Sequence, residues 1–539
     1  MLVDTFSVAG KADTTDYKTS KFVYNNTEVE MKDGHAVVTP THKELEIRIS
    51  QHAPKTGLML VGFGGSNGST LLGGLLANQH NITWERKDGV CNPNFFGSMI
   101  ESSTVRLGTT HAGEDVYAPF RSLVPFVDPK NPDQFMLGGW DINNDNMYAA
   151  MQKAAVLDVT LQHKLRPYME NITPMPSVFD INFVAANQED RANNVITAEY
   201  AKEMLGEEVD TTGRRWYVEV IKAQMRKFKE ENNLEKIVVL WTANTECFAP
   251  IIEGVNTTEA ELLASLKDAE KSKHIAPSSL FAIAAIEEKV TFINGSPQNT
   301  LVPGVIEYAV RNRSMIGGDD FKSGQTKMKS VLTDFLVSSG IKPTCIASYN
   351  HLGNNDGLNL SSPAQFRSKE ITKANVVDDI VASNDILYKR PGEIEKPDHC
   401  IVIKYLKYVG DSKRAMDEYT SEIFMRGKNT IVLHNTCEDS LLAAPIIMDM
   451  ALCGEMLGRL EVREPNGEWE NFHPVMNTIS FFCKAPRVPD QTPIINALPA
   501  QRACLENILR CVAGLPIETN MRLENRVMPM MRERGSLKE

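Results

Sequence analysis

A short apolar run that ends in a glycine-rich turn constrains the fold of this chain more than any other segment. Residues 58–61 are all apolar, residues 62–68 (Gly-Phe-Gly-Gly-Ser-Asn-Gly) follow directly, and residues 69–78 have the pattern of a helix. A strand, a glycine turn and a helix open the βαβ unit of a parallel sheet. The glycines allow the backbone to approach a pyrophosphate at the N-terminus of the helix. The segment therefore predicts an α/β fold with a Rossmann-type dinucleotide-binding domain.

The turn departs slightly from the G-x-G-x-x-G pattern, because Asn67 stands at the third glycine and Gly68 follows it. An ordinary βα turn has a similar composition, so only the flanking strand and helix favour the cofactor site. Glu85 lies near the distance expected of a carboxylate that binds a ribose hydroxyl. Arg86 and Lys87 beside it are equally typical of a solvated turn, and both interpretations of Glu85 stay open.

The rest of the chain predicts two or more domains, since 539 residues exceed one simple core. Apolar runs that indicate strands alternate with stretches that indicate helices. The predicted strands are residues 179–185, 236–241, 289–295, 341–349, 375–383, 399–409 and 430–433. The predicted helices are residues 214–232, 280–288, 327–337, 438–460 and 500–513. Residues 461–470 have the composition of an exposed loop.

Composition limits the partners and the compartment. The net charge of -12 repels nucleic acid and anionic membranes, and no apolar run reaches the ~20 residues of a membrane span. The nine cysteines include no Cys-x-x-Cys, and the eleven histidines form no Cys/His cluster. The start of the chain lacks the order of a signal peptide. We therefore expect a cytoplasmic location, and no nucleic-acid partner, membrane partner or metal.

Residues 323–326 (Ser-Gly-Gln-Thr) precede a predicted helix and have the features of a phosphate cradle. With Ser323 as N-cap, the backbone N–H groups of the next three residues have no helical partner. Such a helix end binds anions through its donors and its dipole. An ordinary capped helix has the same sequence, so this interpretation depends on the neighbouring residues.

Four lysines follow the cradle along the chain. Lys369 and Lys373 are four residues apart and share one helical face, where like charges lower each other's proton affinity. Lys413 follows a predicted strand, and Lys484 stands among apolar neighbours, where burial lowers the pKa of an amine. Each lysine alone is more typical of a structural role, whereas a shared anionic substrate explains all four.

Together these segments resemble the eukaryotic (fungal-type) myo-inositol-1-phosphate synthases, from about residue 20 to the end. Ser66 departs from the asparagine expected in many relatives, but it keeps a side-chain oxygen. Besides the glycine turn, the resemblance rests on residues 139–143 (Gly-Trp-Asp-Ile-Asn), 185–193 (Ala-Ala-Asn-Gln-Glu-Asp-Arg-Ala-Asn), 241–246 (Trp-Thr-Ala-Asn-Thr-Glu), 295–300 (Gly-Ser-Pro-Gln-Asn-Thr), 317–327, 350–357, 367–373, 410–413, 437–440 and Lys484.

The resemblance implies a Rossmann-type NAD-binding domain interrupted by an α+β catalytic and tetramerisation domain, in a homotetramer. The implied divisions are an N-terminal arm at residues 1–57, the Rossmann domain at 58–324, the catalytic and tetramerisation domain at 325–437 and a C-terminal return at 438–539.

The implied reaction is a redox-neutral cyclisation, the first step of inositol and phosphatidylinositol synthesis. D-glucose 6-phosphate would be oxidised at C5 by NAD, enolised, closed by attack of C6 on C1 and reduced again, giving 1D-myo-inositol 3-phosphate (L-myo-inositol 1-phosphate). Lysines with lowered pKa would stabilise the oxyanions and exchange protons. Lys373 would bind the phosphate. A Schiff-base lysine, a dehydrogenase that releases NADH and an NAD-sensing scaffold without chemistry stay open as alternatives.

The site residues follow from the same resemblance. The catalytic residues are Lys369, Lys373, Lys413, Lys484, Asp320 and Asp356. The NAD-binding residues are Gly64, Gly65, Ser66, Asn67, Asp141, Ser177, Val178, Gln188, Arg191, Thr242, Ala243, Asn244, Thr245, Gly295, Ser296, Asp320, Asn355, Asp356, Gly410, Asp411, Asp439 and Ser440. The substrate- and phosphate-binding residues are Ser323, Gly324, Gln325, Thr326, Asn354, Lys369, Lys373, Lys413 and Lys484.

Overall fold

A computed structural model describes residues 1–9, 11, 13–388 and 395–523. Its strands are β1 (Tyr17–Lys32), β2 (His35–Ser50), β3 (Thr56–Val61), β4 (Trp84–Arg86), β5 (Gly89–Cys91), β6 (Thr104–Thr109), β7 (Asp115–Pro119), β8 (Phe135–Asp141), β9 (Met175–Pro176), β10 (Lys236–Trp241), β11 (Thr291–Asn294), β12 (Ile316–Gly317), β13 (Lys342–Leu352), β14 (Asp398–Tyr405), β15 (Ser412–Glu422), β16 (Lys428–Glu438), β17 (Leu460–Arg463) and β18 (Glu470–Asn471). Its α-helices are α1 (Ser66–Gln79), α2 (Met99–Ser102), α3 (Met147–Ala154), α4 (Val159–Met169), α5 (Ala198–Leu205), α6 (Arg215–Glu231), α7 (Glu259–Ser265), α8 (Pro277–Glu287), α9 (Pro303–Asn312), α10 (Gly324–Ser338), α11 (Asn355–Asn359), α12 (Pro363–Asn375), α13 (Asp378–Ala382), α14 (Asp439–Leu457) and α15 (Leu498–Ala513).

The largest sheet has six parallel strands in the order β12-β11-β10-β3-β8-β9. Numbered along the chain from β3, this order is 6-5-4-1-2-3, the order of a doubly wound dinucleotide-binding fold. The direction of winding reverses between β3 and β10, so a crevice opens beyond their carboxyl ends. The prediction of an α/β fold with a Rossmann-type domain is confirmed.

Both faces of this sheet are covered, which explains why its strands are continuous apolar runs. Leu58 and Leu60 point into a core shared with α1 and α14, whereas Met59 and Val61 point into a core shared with α6 and α8. Helix α14 is long and apolar enough to cross a membrane, and most of it is buried inside the protein. The chain thus returns to the first sheet after residue 438.

A second sheet is inserted between β12 and α14, in the order β14-β13-β15-β16. Strand β13 is parallel to β14 and antiparallel to β15, and helix α10 packs against it. The N-terminal hairpin β1–β2 pairs with β17, so the two ends of the chain share a third sheet. The exact domain divisions stay predictions.

Three predictions of local structure were wrong. Residues 375–383 complete α12 and form α13, since Val376, Val377, Ile380 and Val381 are buried at helical spacing. Residues 179–185 form no strand, because the Asp180 carboxylate accepts the N–H of Asn182 and bends the backbone. In residues 461–470, strand β17 pairs with β2 and only the tip is a loop.

Candidate active site

A cavity of about 730 Å³ lies beyond the carboxyl ends of β3, β8 and β10 and extends to the second sheet. It brings together most of the residues predicted from the sequence. The predicted residues that line it are Gly64, Gly65, Ser66, Asn67, Asp141, Ser177, Val178, Gln188, Arg191, Thr242, Ala243, Asn244, Thr245, Gly295, Ser296, Asp320, Ser323, Asn354, Asn355, Asp356, Lys369, Gly410, Asp411, Lys413, Asp439 and Lys484. The predicted residues that do not line it are Gly324, Gln325, Thr326, Lys373 and Ser440.

The glycine turn forms one wall of the cavity and fits a dinucleotide. Helix α1 begins at Ser66, three residues earlier than predicted, and its N-cap Gly65 provides no side chain to cap the helix. A Cβ on Gly64 would lie 3.2 Å from Oδ2 of Asp141, so the bare backbone is what leaves this space open. Free N–H groups at a helix N-terminus are the donors that a pyrophosphate needs.

Substitution of Gly64 by valine should fill this space and weaken NAD binding by about tenfold or more, since bulk at the turn blocks close approach of a pyrophosphate. Gly74→Ala, in the helix that follows the turn, is the control, because no atom outside the backbone of that helix lies within 4 Å of a Cβ placed there. Both variants can be titrated with NADH by fluorescence. Equal affinities in the two variants would remove the turn from the cofactor site.

Asp141, at the end of β8, occupies the position of the ribose-binding carboxylate. Burial raises its pKa, and Nη2 of Arg191 lies 3.8 Å from Oδ1. Glu85, the candidate nearer to the turn in sequence, instead lies on the exposed strand β4 and pairs with Lys164 at 3.1 Å. The ribose interpretation of Glu85 was wrong because an inserted hairpin, not the second strand of the central sheet, follows α1.

The second unit contacts the Rossmann loops through α11. Oδ1 of Asp356 accepts the backbone N–H of Thr245 at 2.9 Å. Asn355 donates from Nδ2 to Oε1 of Gln188 at 2.9 Å and to Oδ1 of Asn244 at 3.2 Å. These bonds close the cavity between the cofactor turn and the lysines.

One carboxylate holds two of the lysines. Oδ1 of Asp320 accepts hydrogen bonds of 2.9 Å from Nζ of Lys369, on α12, and of 2.9 Å from Nζ of Lys484. Oδ2 of Asp320 accepts a bond of 2.7 Å from Oγ1 of Thr372. Lys484 reaches the site because its own backbone N–H donates to the carbonyl of Asp320. The C-terminal part of the chain thus supplies a cavity residue, as the resemblance implied.

The shared carboxylate separates the pKa values of the two amines. Burial alone would lower the pKa of Lys369, but the charges of Asp320 and Asp356 outweigh it and raise that pKa above the ordinary value. Burial lowers the pKa of Lys484 to about 7, and Lys369 and Lys413 add to this shift against the attraction of Asp320. The prediction that the lysines have lowered pKa was therefore right for Lys484 and wrong for Lys369.

A second ion pair holds Lys413, near the start of β15. Its Nζ lies 3.2 Å from Oδ1 of Asp439. Burial opposes ionisation of Asp439, but Lys413 and Lys369 keep its pKa below the ordinary value. Behind them, Asp411 accepts from the N–H and the hydroxyl of Ser440, each at 2.8 Å, so Ser440 supports the wall without lining it.

Among the residues that the structure describes, no carboxylate lies within ion-pair distance of Lys373. Its Nζ donates to Oε1 of Gln325 at 3.0 Å and to Oδ1 of Asn350 at 3.1 Å. Burial, followed by the charges of neighbouring lysines, lowers its pKa well below the ordinary value. Ser323 is the N-cap of α10 as predicted, but its hydroxyl makes no capping bond. A bound anion would satisfy these groups together.

Three polar residues that bond the site side chains or line the cavity as an acid were not among the predicted site residues. Thr372, which bonds Asp320, lies three residues after Lys369, so helical spacing could have found it. Asn350 belongs to a polar segment of which only the later residues were selected. Glu246 lines the cavity with a carboxyl whose pKa burial raises to about 8, and a lone glutamate in a loop carries no signal of this.

Comparison with known proteins identifies the family. The family model described as myo-inositol-1-phosphate synthase, an NAD-binding family, matches residues 56–510. The chain belongs to the myo-inositol-1-phosphate synthase family. Inositol-3-phosphate synthase of Sesamum indicum is 56% identical over 94% of this chain and 95% of its own length. Inositol-3-phosphate synthase 1 of Populus euphratica is 55% identical, with coverage of 94% and 95%.

The crystal structure of inositol-3-phosphate synthase from Caenorhabditis elegans has the same architecture. It superposes with a TM-score of 0.90 at 46% identity, and the match covers 97% of this chain and 98% of that one. These relatives are from plants and a nematode, so they support the eukaryotic family without a fungal subtype. As a member of the myo-inositol-1-phosphate synthase family, the chain is an isomerase, and its cofactor is NAD.

Proposed function

We propose that this chain converts D-glucose 6-phosphate into 1D-myo-inositol 3-phosphate without net oxidation. The observation that carries the proposal is the arrangement of Lys369 and Lys484 on one carboxylate, Asp320, in the cavity that begins at the glycine turn. A net dehydrogenase needs one acid–base group beside the cofactor. Several buried ammonium groups suit a reaction in which negative charge appears on more than one oxygen.

The pKa values of the two lysines assign them different catalytic roles. Gly64, Gly65 and Asp141 would hold NAD, which when bound would supply hydride exchange at C5 of the substrate. Lys484 Nζ, with a pKa of about 7, removes the proton from C6, because an amine can act as a base only in its neutral form. Lys369 Nζ, whose pKa is raised, keeps its proton and stabilises the oxygen on C5 as an enolate forms.

Lys413 acts at C1, the carbon that C6 attacks when the ring closes. Its ammonium, held by Asp439, would donate to the C1 oxygen as C6 attacks that carbon. A Schiff base at Lys369 would require a neutral amine at the reacting carbonyl, which the raised pKa of Lys369 disfavours.

The phosphate would bind at the N-terminus of α10. Among the described residues, the backbone N–H groups of Gly324 and Gln325 have no acceptor. The N–H of Thr326, predicted to be free, instead donates to the carbonyl of Ser323 at 3.1 Å. Lys373 is held beside Gln325 in the first turn. A buried ammonium with neutral partners gains most from a phosphate, since the pairing relieves its desolvation. Anchoring the phosphate would place C5 and C6 towards Lys369 and Lys484.

We also propose that the enzyme is a cytoplasmic homotetramer. The second sheet exposes apolar side chains at Met416 and Val432, and the turn between β15 and β16 exposes Phe424; Val432 is 67% exposed. Exposed apolar surface of this kind favours an interface with further copies. All nine cysteines are unpaired, which fits a reducing compartment. Sedimentation or light scattering of the pure protein tests the assembly.

One assay separates the candidate functions. Pure protein is incubated with NAD⁺ and glucose 6-phosphate, and both inositol phosphate and free NADH are followed. The proposal predicts cyclic product without accumulation of NADH. Stoichiometric NADH without a cyclic product would identify a dehydrogenase, and no turnover would favour an NAD-binding scaffold.

The pH dependence should report Lys484. As pH rises through about 7, the amine loses its proton, so kcat/KM should rise and then level off. The substrate phosphate also titrates, near pH 6, so kcat at saturating substrate is followed in parallel to separate the two groups. A kcat that stays flat across this range would exclude Lys484 as the base.

A further inference from the structure

The side-chain amide of Gln325 has a forced orientation. Its Nε2 donates to Oδ1 of Asp417, and its Oε1 accepts a hydrogen bond of 3.0 Å from Nζ of Lys373. A carboxylate only accepts hydrogen bonds and an ammonium only donates them. A flipped amide would therefore set donor against donor and acceptor against acceptor. Asp417 determines which end of Gln325 meets Lys373.

Lys373 differs from the other three site lysines in its partners. Within the part of the chain that the structure describes, Lys369 and Lys484 pair with Asp320 and Lys413 pairs with Asp439, but no carboxylate lies within ion-pair distance of Lys373. An ammonium has three donors, and two of them bond neutral oxygens. The third donor remains for an anion, whose charge would also favour the protonated form of this buried amine.

Asp417 occupies a position that the fold alone would fill with an apolar residue. On the inward face of β15 it stands between Ala415 and Tyr419, and it is 1% exposed. A buried carboxylate costs free energy unless its oxygens are paired. Here Oδ2 accepts from the hydroxyl of Tyr419 at 3.0 Å and Oδ1 accepts from Gln325. Both bonds fix the carboxylate, and the bond from Gln325 in turn fixes the orientation of the Gln325 amide.

Two other polar residues near Asp417, Lys329 and His399, bond each other and do not orient Gln325. Lys329, on α10, is buried and attracted by Asp417, but its Nζ lies 2.7 Å from Nε2 of His399. Burial lowers the pKa of His399 to about 3, so the ring is neutral and accepts from the lysine. Among the described residues, the side chain of Asp417 forms direct hydrogen bonds with Gln325 and Tyr419.

We propose that Asp417 is a positioning residue for the phosphate of the substrate, acting through Gln325 on Lys373. The inference rests on the proposed function, in which Lys373 and residues 323–326 bind that phosphate. Because Gln325 lies in the first turn of α10, its oriented amide holds Nζ of Lys373 beside the N–H groups of Gly324 and Gln325, which have no acceptor among the described residues. The carboxylate itself stays out of the cavity.

Asp417→Asn tests this chain of contacts. An asparagine can donate, so Gln325 is free to flip and present Nε2 to Lys373. We expect KM for glucose 6-phosphate to rise by about tenfold or more, while kcat changes by less than about threefold and NAD affinity is unchanged. Asp379→Asn is the matched control in the same unit, since Asp379 accepts two bonds from Asn496, of 2.7 and 2.9 Å, and has no link to Lys373.

A double-mutant cycle distinguishes positioning from general support of the fold. In a Gln325→Ala background, Asp417→Asn should add nothing to KM, because the connection is already cut. Additive effects, or an unchanged KM in the single variant, would overturn the inference. Where Asp417→Asn does not fold, the cycle is run with Asp417→Glu, whose displaced carboxylate should raise KM only when Gln325 is present.

The failure of the proposed function gives a different result. A parent protein that does not turn over glucose 6-phosphate overturns that function. Calorimetric titration of the NAD complex with inorganic phosphate then tests the positioning alone. Phosphate should bind the parent about tenfold more tightly than Asp417→Asn. Equal phosphate affinities would reject the role of Asp417.

Discussion

Replacement of Lys369 by alanine should lower turnover by about a thousandfold or more and leave NAD bound. Lys369 is the ammonium that keeps its proton, because Asp320 raises its pKa, and it faces the cavity. Its loss removes a fixed positive charge from the site of a developing oxyanion. The glycine turn proposed to bind NAD makes no hydrogen bond to Lys369 in the described part of the chain, so cofactor affinity should be retained.

The control is Lys327→Ala, on α10. Lys327 lies over the ring of Phe481, with Nζ 4.7 Å from the ring centroid, and it does not line the cavity. Its variant should retain turnover within about twofold, as expected of a residue without transition-state contacts. Turnover and NADH titrations are measured on both proteins. Near-normal cyclisation by Lys369→Ala would remove Lys369 from the catalytic set.

Asp320→Asn should damage both activity and stability. Two ammonium groups then lose their shared carboxylate, and breaking a buried ion pair in this way costs about 3–5 kcal/mol in the free energy of unfolding. Turnover should fall by about a hundredfold or more, because Lys369 and Lys484 lose their fixed geometry. Thermal unfolding and initial rates measure the two effects.

The sign of the pH dependence sharpens this prediction. Burial opposes ionisation of Asp320, but Lys369 and Lys484 hold its pKa well below the usual range. The stability it supplies is present above the pKa of about 4 of the unfolded chain, and it is lost as pH falls through the folded value. The parent should therefore lose more stability on acidification below pH 4 than Asp320→Asn does.

Asp449→Asn is the control for Asp320→Asn. Asp449 is another buried carboxylate, and it accepts bonds from Ser98 and Met99 away from the cavity. Its variant should unfold at a lower temperature and yet keep kcat within about twofold. Equal losses of activity in the two variants would mean that Asp320 acts only through stability.

The fold and the candidate site could be predicted mainly from three features: the glycine turn, the buried strand at residues 236–241 and the four lysines. Each of these features is local in sequence or belongs to one motif. The ribose interpretation of Glu85 was wrong because it assumed the usual sequence distance from the turn to the second strand of the central sheet. The hairpin β4–β5 is inserted before that strand, β8, and no local pattern reveals the insertion. The strand predicted at residues 375–383 failed for a related reason, since short apolar runs fit both a strand and a helix.

The residues that hydrogen-bond the site side chains from outside the cavity could not be predicted from the sequence. Asp417 contacts Gln325 across 92 positions of the chain, from a strand whose register depends on tertiary pairing. The opposite pKa shifts of Lys369 and Lys484 likewise depend on tertiary contacts. Asp356 adds to the attraction of Asp320 at Lys369, whereas Lys369 and Lys413 oppose that attraction at Lys484. Only Thr372 could have been added, from its spacing to Lys369.

The fate of the hydrogen on C5 tests redox-neutral cyclisation most directly. Glucose 6-phosphate carrying deuterium at C5 is turned over with unlabelled NAD⁺, and the product is examined by mass spectrometry and NMR. The account predicts that the label is retained on the same carbon of the inositol phosphate, with no NADH left over. Loss of the label to free NADH or to solvent would contradict it.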